Sequence, residues 1–146
     1  KARSYGVEFT AERKASEKLR WFANLTRISS KVENPLDANH DGTNIPFVPD
    51  YTANAGLRIR LAGEVTLSPY VHAAGNYYDS TSRSERAKFG PYQIINLKIQ
   101  KEFAKKHGYE SSFFIDLNNL TDKRYEMPWQ FQDTGFNAYI GVEARF

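Results

Sequence analysis

The sequence predicts an all-β chain with no helices, an antiparallel transmembrane β-barrel segment of about seven strands. Three observations predict it. Apolar residues recur at i, i+2, i+4 in seven separate stretches of the 146 residues, whereas a helix would repeat near every ~3.6 residues. The faces opposite those stretches are densely charged. The connections run short, long, short, long, short, long, the pattern of a barrel whose tight turns gather at one rim and whose long loops gather at the other.

The first predicted stretch, Tyr5 to Arg13, places Tyr5, Val7, Phe9 and Ala11 on one face. Leu19 to Ile28 adds Leu19, Trp21, Ala23 and Leu25, and Tyr51 to Leu61 adds Ala53, Ala55, Leu57, Ile59 and Leu61. Val65 to Tyr77 contributes Val65, Leu67, Val71 and Ala73. Its Pro69 is a misfit, because a central strand needs that N–H, and a local bulge is expected there. Tyr92 to Phe103 contributes Ile95, Leu97, Ile99 and Phe103. Its Lys101 interrupts the apolar row close to a short turn, where a long side chain can reach headgroups. Tyr109 to Asn119 contributes Phe113, Ile115 and Leu117, and Phe136 to Phe146 contributes Ala138, Ile140, Val142, Ala144 and Phe146.

The opposite parity carries five acids, Glu8, Glu12, Glu102, Asp116 and Glu143, and five bases, Arg20, Arg58, Arg60, Lys98 and Arg145, with Asn24, Asn54, His72, Gln100 and Asn118 among them. Such a face cannot line a dry core, since each unpaired buried charge costs several kcal/mol. It must be hydrated or paired, and cross-strand ion pairs are expected on it. Either bulk water beside a soluble core or a water-filled barrel lumen would serve. The long connections, 29–50, 78–91 and 120–135, all fall at one end, which favours the barrel. Tyr5, Tyr51, Tyr77, Tyr92 and Phe136 fall at the long-loop ends and Trp21, Phe103 and Phe146 near the short turns, like paired interfacial girdles.

Composition removes other classes. The absence of cysteine excludes thiol catalysis, thiolate metal sites and disulfides. A net charge of +3 is too small and too dispersed to imply nucleic acid. No run of about 18 apolar residues exists for a membrane-spanning helix, and a mean hydropathy of −0.63 is compatible with barrel strands that hide apolarity in alternation. The chain opens at Lys1 with strand-like alternation and reads as cut from a longer protein.

Three segments carry a resemblance. Residues 89–103 read Phe-Gly-Pro-Tyr-Gln-Ile-Ile-Asn-Leu-Lys-Ile-Gln-Lys-Glu-Phe; residues 113–126 contain Asn119-Leu120-Thr121-Asp122-Lys123-Arg124-Tyr125, an N-L-x-D-x-x-Y element; the chain ends Ala-Tyr-Ile-Gly-Val-Glu-Ala-Arg-Phe. Together with Pro46-Phe-Val-Pro49 before a strand, they resemble the C-terminal end of TonB-dependent outer-membrane receptors. The resemblance implies that residues 1–146 are the last part of a barrel of about 22 strands with a plugged lumen, the plug and the earlier strands lying outside this chain. It also implies active import of a scarce large solute such as a ferric siderophore or cobalamin, with outer-membrane lipid, TonB and the barrel-insertion machinery as partners, no enzymatic step and no cofactor. Asp133-Thr134-Gly135 stands where family members often carry Pro-Gly-Arg. A passive porin, a barrel enzyme and a soluble β-sheet binding module are the alternatives.

Candidate sites follow from the loops. Tyr125, Trp129 and Phe131 form the most apolar loop cluster, and exposed aromatics in a vestibule contact ligands. Arg83 and Arg86 could meet an anionic chelate, although Asp79 and Glu85 sit among them. Asp37, Asn39 and Asp41, with Gly42, look like half a calcium loop, but Val48 stands where a bidentate Glu is required, and a solvated turn is the stronger reading. Ser68 and His72 share a face about 13 Å apart by strand rise, too far for a nucleophile and its base. By resemblance, Tyr139, Gly141, Ala144 and Phe146 form the terminal signal read by the insertion machinery.

Overall fold

The computed structural model describes residues 1–106, 109–126 and 133–145. Seven strands form one antiparallel sheet: β1 (Ala2–Lys14), β2 (Leu19–Val32), β3 (Tyr51–Arg60), β4 (Val65–Ala74), β7 (Tyr92–Lys106), β8 (Tyr109–Asn118) and β9 (Asn137–Arg145). They pair in the order β1-β2-β3-β4-β7-β8-β9, a meander in which each strand lies beside its neighbour along the chain. The long connection after β4 holds a two-stranded ribbon, β5 (Tyr77–Tyr78) with β6 (Lys88–Phe89). The fourth predicted stretch therefore ends at Ala74, and its last residues turn off into the ribbon.

Register confirms the parity. Directly opposed residues in antiparallel strands share a face, and Phe9 pairs with Leu25, Leu25 with Ala53 and Ala53 with Ala73. The series continues through Val71 with Ile95, Ile99 with Ile115 and Ile115 with Ile140. The apolar face is bare: Val7 is 74% exposed and Ile140 70%, while the only buried apolar residues among those described are Ala74 and Tyr77. One layer with an uncovered apolar face has no core of its own, so its burial must come from lipid or from more protein.

Pro69 is not at a bulge. The β3–β4 register keeps one offset from Gly56 with Tyr70 to Ile59 with Leu67, and pairing lapses between them. On its other side Pro69 stays in register with Leu97. The missing N–H thus opens a gap in one ladder without inserting a residue. The register shift falls instead between Glu102 and Ala104, at exposed Phe103 beside a short turn.

Two aromatics leave the expected girdle. Tyr77 is 8% exposed and stacks on Phe89 within the ribbon, with centroids 5.6 Å apart. Tyr92 has polar-face parity, opposite Ala74, and stacks on Tyr125 at 4.2 Å. Tyr5, Tyr51 and Trp21 keep outward parity. Lys101 donates from Nζ to the Gly63 carbonyl at 2.8 Å, so it reaches the short turn from the apolar face. In that turn Gly63 and Glu64 have φ of 72° and 59°, and glycine takes the first at no steric cost.

Candidate functional site

The polar face is layered along the strands. One row runs Thr10, Asn24, Asn54, His72, Ile94. Within it Asn54 Nδ2 donates to Asn24 Oδ1 at 2.7 Å, and His72 Nδ1 lies 2.7 Å from Asn54 Oδ1. The row on its short-turn side holds Phe22, Gly56, Tyr70 and Asn96. Beyond that the wall becomes ionic, with Arg20 opposite Arg58 and Lys98 opposite Asp116, then Arg60, Glu102, Glu110 and Glu143 around a smaller recess. Glu8 on edge strand β1 is the charged side chain that stands apart from this belt. Of the expected cross-strand ion pairs, Lys98 and Asp116 meet at 3.6 Å, whereas Arg20 and Arg58 face one another as like charges.

Large rings also lie on this face, and the alternation of charge did not reveal them. Phe22 sits directly opposite Gly56, and Phe114 opposite Gly141. A Cβ at Gly56 would meet the Phe22 ring at 2.6 Å, and one at Gly141 would meet the Phe114 ring at 2.5 Å. The glycines are seats for the rings, the pairing known as aromatic rescue. The signal was available in sequence as aromatics of polar parity opposite glycines, but adjacent runs such as Trp21-Phe22-Ala23 and Phe113-Phe114-Ile115 conceal the alternation.

At the long-loop end a concavity of about 430 Å³ opens on the amide-rich rows, lined by Asn54, Tyr70, His72, Asn96, Asn118, Asn137, Tyr139 and Tyr125, with others. Asn118 Nδ2 donates to Asn137 Oδ1 at 3.2 Å, and the Asn119 N–H to Asn96 Oδ1 at 2.9 Å. The last loop is cinched at its base: Asp133 accepts from the Gly135 and Tyr125 N–H groups, and Asp122 from that of Phe136. This is the local shape of Asp133-Thr134-Gly135, with Gly135 at φ 60°. Burial, then the nearby Asp133 carboxylate, pushes the Tyr125 phenol above its usual range, and burial followed by Tyr125 does the same to Tyr77. The concavity offers amides and phenolic hydroxyls, suited to an oxygen-rich ligand with flat apolar portions.

Of the sequence candidates, Tyr125 lines this concavity, half-buried against Tyr92; Trp129 and Phe131 lie outside the described residues. Arg83 is committed between loops, its guanidinium donating to the carbonyls of Ala38 and Asp41. Arg86 stacks 4.0 Å over the Tyr78 ring. Asn39 joins the same junction: its Nδ2 donates to Ser82 Oγ, its Oδ1 accepts from Ser84 N–H, and its carbonyl accepts from Arg83 N–H. His40 Nδ1 lies 2.6 Å from Thr81 Oγ1. The loops 33–50 and 75–91 are thereby fastened into one ledge. Asp37 Oδ1 accepts from Asn39 N–H and Asp41 Oδ1 from Asn34 N–H, as in solvated turns. Tyr139 and Gly141 have polar-face parity and Ala144 the outward one; Phe146 lies outside the described residues.

A family model described as TonB dependent receptor-like, beta-barrel matches residues 1–120. No curated protein matches by sequence. Among solved structures, BauA, the ferric preacinetobactin receptor from Acinetobacter baumannii, superposes with a TM-score of 0.76 at 17% identity, covering 99% of this chain and 22% of that one. The ferric yersiniabactin uptake receptor FyuA from Yersinia pestis gives 0.67 at 22% identity over 99% and 23%. The ferric citrate transporter FecA, in its unliganded form, gives 0.74 at 12% identity over 99% and 23%. The chain thus spans less than a quarter of the length of each.

Proposed function

Because the chain belongs to the TonB-dependent receptor β-barrel family, we propose that it supplies wall and surface loops to an outer-membrane receptor that actively imports a scarce large solute, such as a ferric siderophore or cobalamin. In this reading the short turns face the periplasm, the long loops face outward and TonB acts through a region beyond this chain. The apolar face then meets lipid and the polar face lines the lumen. The observation that carries the ligand assignment is the neutral concavity under the long loops, where Tyr125, Tyr70, His72 and the amides converge. We take Trp129 and Phe131, a few residues beyond Tyr125 in sequence, as further ligand contacts, with Arg83 serving a ligand through the ledge it holds and Arg86 from its stack on Tyr78. No chemistry is done on the solute.

The test uses the complete receptor in cells deleted for it, given radiolabelled ferric chelates and cobalamin with and without TonB. Uptake of one of these should vanish without TonB. Tyr125→Ala and Trp129→Ala should each weaken its binding about tenfold, the scale of one lost aromatic contact, with the amount of assembled barrel unchanged. TonB-independent uptake would overturn the active-transport reading, and unchanged affinity in both variants would remove this loop from the site.

A further inference from the structure

We propose that the outer wall across β1–β3 binds one phosphate-bearing lipid of the outer leaflet, its headgroup on Arg27 and Lys31 and an acyl chain in an apolar depression below them; the proposal rests on the membrane-spanning reading above. Two independent features carry it. The first is a local cluster of cations on the outward face. Arg27 pairs with Val7 and Tyr51, and Lys31 with Arg3, so all three bases share the outward parity, at and beyond the level of Tyr51. Arg3 is neutralised by Glu33 at 2.8 Å. Arg27 touches Asp50 through one nitrogen at 3.9 Å and leaves a side chain 66% exposed. Lys31 is exposed and has no ion-pair partner among the described residues. On β3, β4, β7, β8 and β9 the outward rows at this rim hold Tyr51, Ala73, Gln93, Leu117 and Ala138, without a cation.

The second feature is a depression of about 430 Å³ on the same face, floored by Ala23 and Ala55 and walled by Trp21, Leu57, Val71 and Pro69. It exists because Ala23 pairs with Ala55 across β2 and β3 beside the ladder gap at Pro69. Ala23 lies four residues from Arg27 on β2, about 13 Å toward the short turns by strand rise. That is the offset of a hydrocarbon chain from its own phosphate when the phosphate sits at girdle level. Bases at a membrane surface attract anionic headgroups, and a guanidinium can hold phosphate with two parallel hydrogen bonds. Charge complementarity favours a net-anionic headgroup over a zwitterionic one, and the apolar depression favours a lipid over free phosphate.

The experiment uses the complete receptor purified from outer membranes in detergent, titrated with dioleoylphosphatidic acid or dioleoylphosphatidylcholine and read by native mass spectrometry. The receptor should hold phosphatidic acid in preference to phosphatidylcholine, and the Arg27→Gln/Lys31→Gln variant should hold one fewer phosphatidic acid. Each lost cation should weaken that lipid about fivefold. Ala55→Leu, which fills the depression and keeps the charge, should weaken it as well. Lys101→Gln, at the opposite rim, should not. An equal phosphatidic acid count in membrane-inserted wild type and double variant would overturn the lipid site alone, as would a second receptor copy or another protein held there in the lipid's place. Recovery of the complete receptor in the soluble fraction would overturn the membrane reading first, and the lipid site with it.

Discussion

Gly141 has a structural task independent of any assembly signal, because the Phe114 ring lies where its Cβ would be, and Lys98 Nζ lies over the same ring 4.5 Å from its centroid. Gly141→Ala should destabilise the complete barrel by about 1–3 kcal/mol, the cost of overpacking a filled site, read as earlier loss of heat-modifiable gel mobility. Adding Phe114→Ala should restore part of the loss, since it removes the clash; a purely additive pair would refute the ring-seat account. At Tyr125 the sign of the pH effect is set by a phenol raised in the folded state by burial and then by Asp133. Below about pH 10 the phenol is neutral in folded and unfolded chains alike, so its contribution is fully present there. It is lost as pH rises through the higher folded value. A near-ultraviolet difference titration of the complete receptor against Tyr125→Phe should show one phenol ionising later than ordinary tyrosine. The charges of the inner wall were legible one by one from parity. The rings were not, because a hydrated lumen tolerates an aromatic lying flat on a glycine, and period-2 scoring assigns every aromatic to the apolar side.

All seven strands of the sheet were readable as elements, with ends displaced by a few residues, because each face repeats its chemistry every second residue. What pairing does at a defect was not readable. Pro69 could be met by a bulge or by a gap, and the choice depends on neighbours on both sides: β7 stays in register there while the ladder to β3 opens. Nor does periodicity reach the loops, where structure comes from side-chain bonds between segments more than 40 residues apart, such as Asn39 with Ser82 and Ser84. Asn39→Ala together with Arg83→Ala should release this junction without altering the wall. On whole cells carrying the complete receptor, added protease should cut within 33–50 faster than in wild type while barrel levels stay equal; equal cutting rates would show that the bonds do not hold the loops. The terminal strand invites a different test. If Tyr139, Gly141, Ala144 and Phe146 are read by the insertion machinery, deleting Phe146 should cause periplasmic accumulation and degradation, whereas Val142→Ala should be tolerated. Normal surface levels of the deletion variant would leave Phe146 as an ordinary outward residue.

Across the molecule, the seven strands leave β1 and β9 each with an unpaired edge among the described residues, and in the proposed membrane setting such edges require further wall to close them. The architecture was legible because it is written in periodicity and connection length, and the family because residues 89–103, 113–126 and the last nine residues resemble its motifs. The site was legible only as a region, since the ledge and the concavity depend on which loop meets which. The division of the polar face into a neutral half and an ionic half also sets how the medium would act on a solute moving along it under the proposed function. Dissolved ions screen charges over a Debye length of about 8 Å at physiological strength and leave amide and phenol contacts nearly untouched. If the proposed import holds, capture beneath the loops is indifferent to brine along this wall, and a solute passing toward Arg20, Arg58, Lys98 and Asp116 enters a stretch whose grip slackens as the salinity of the surroundings rises.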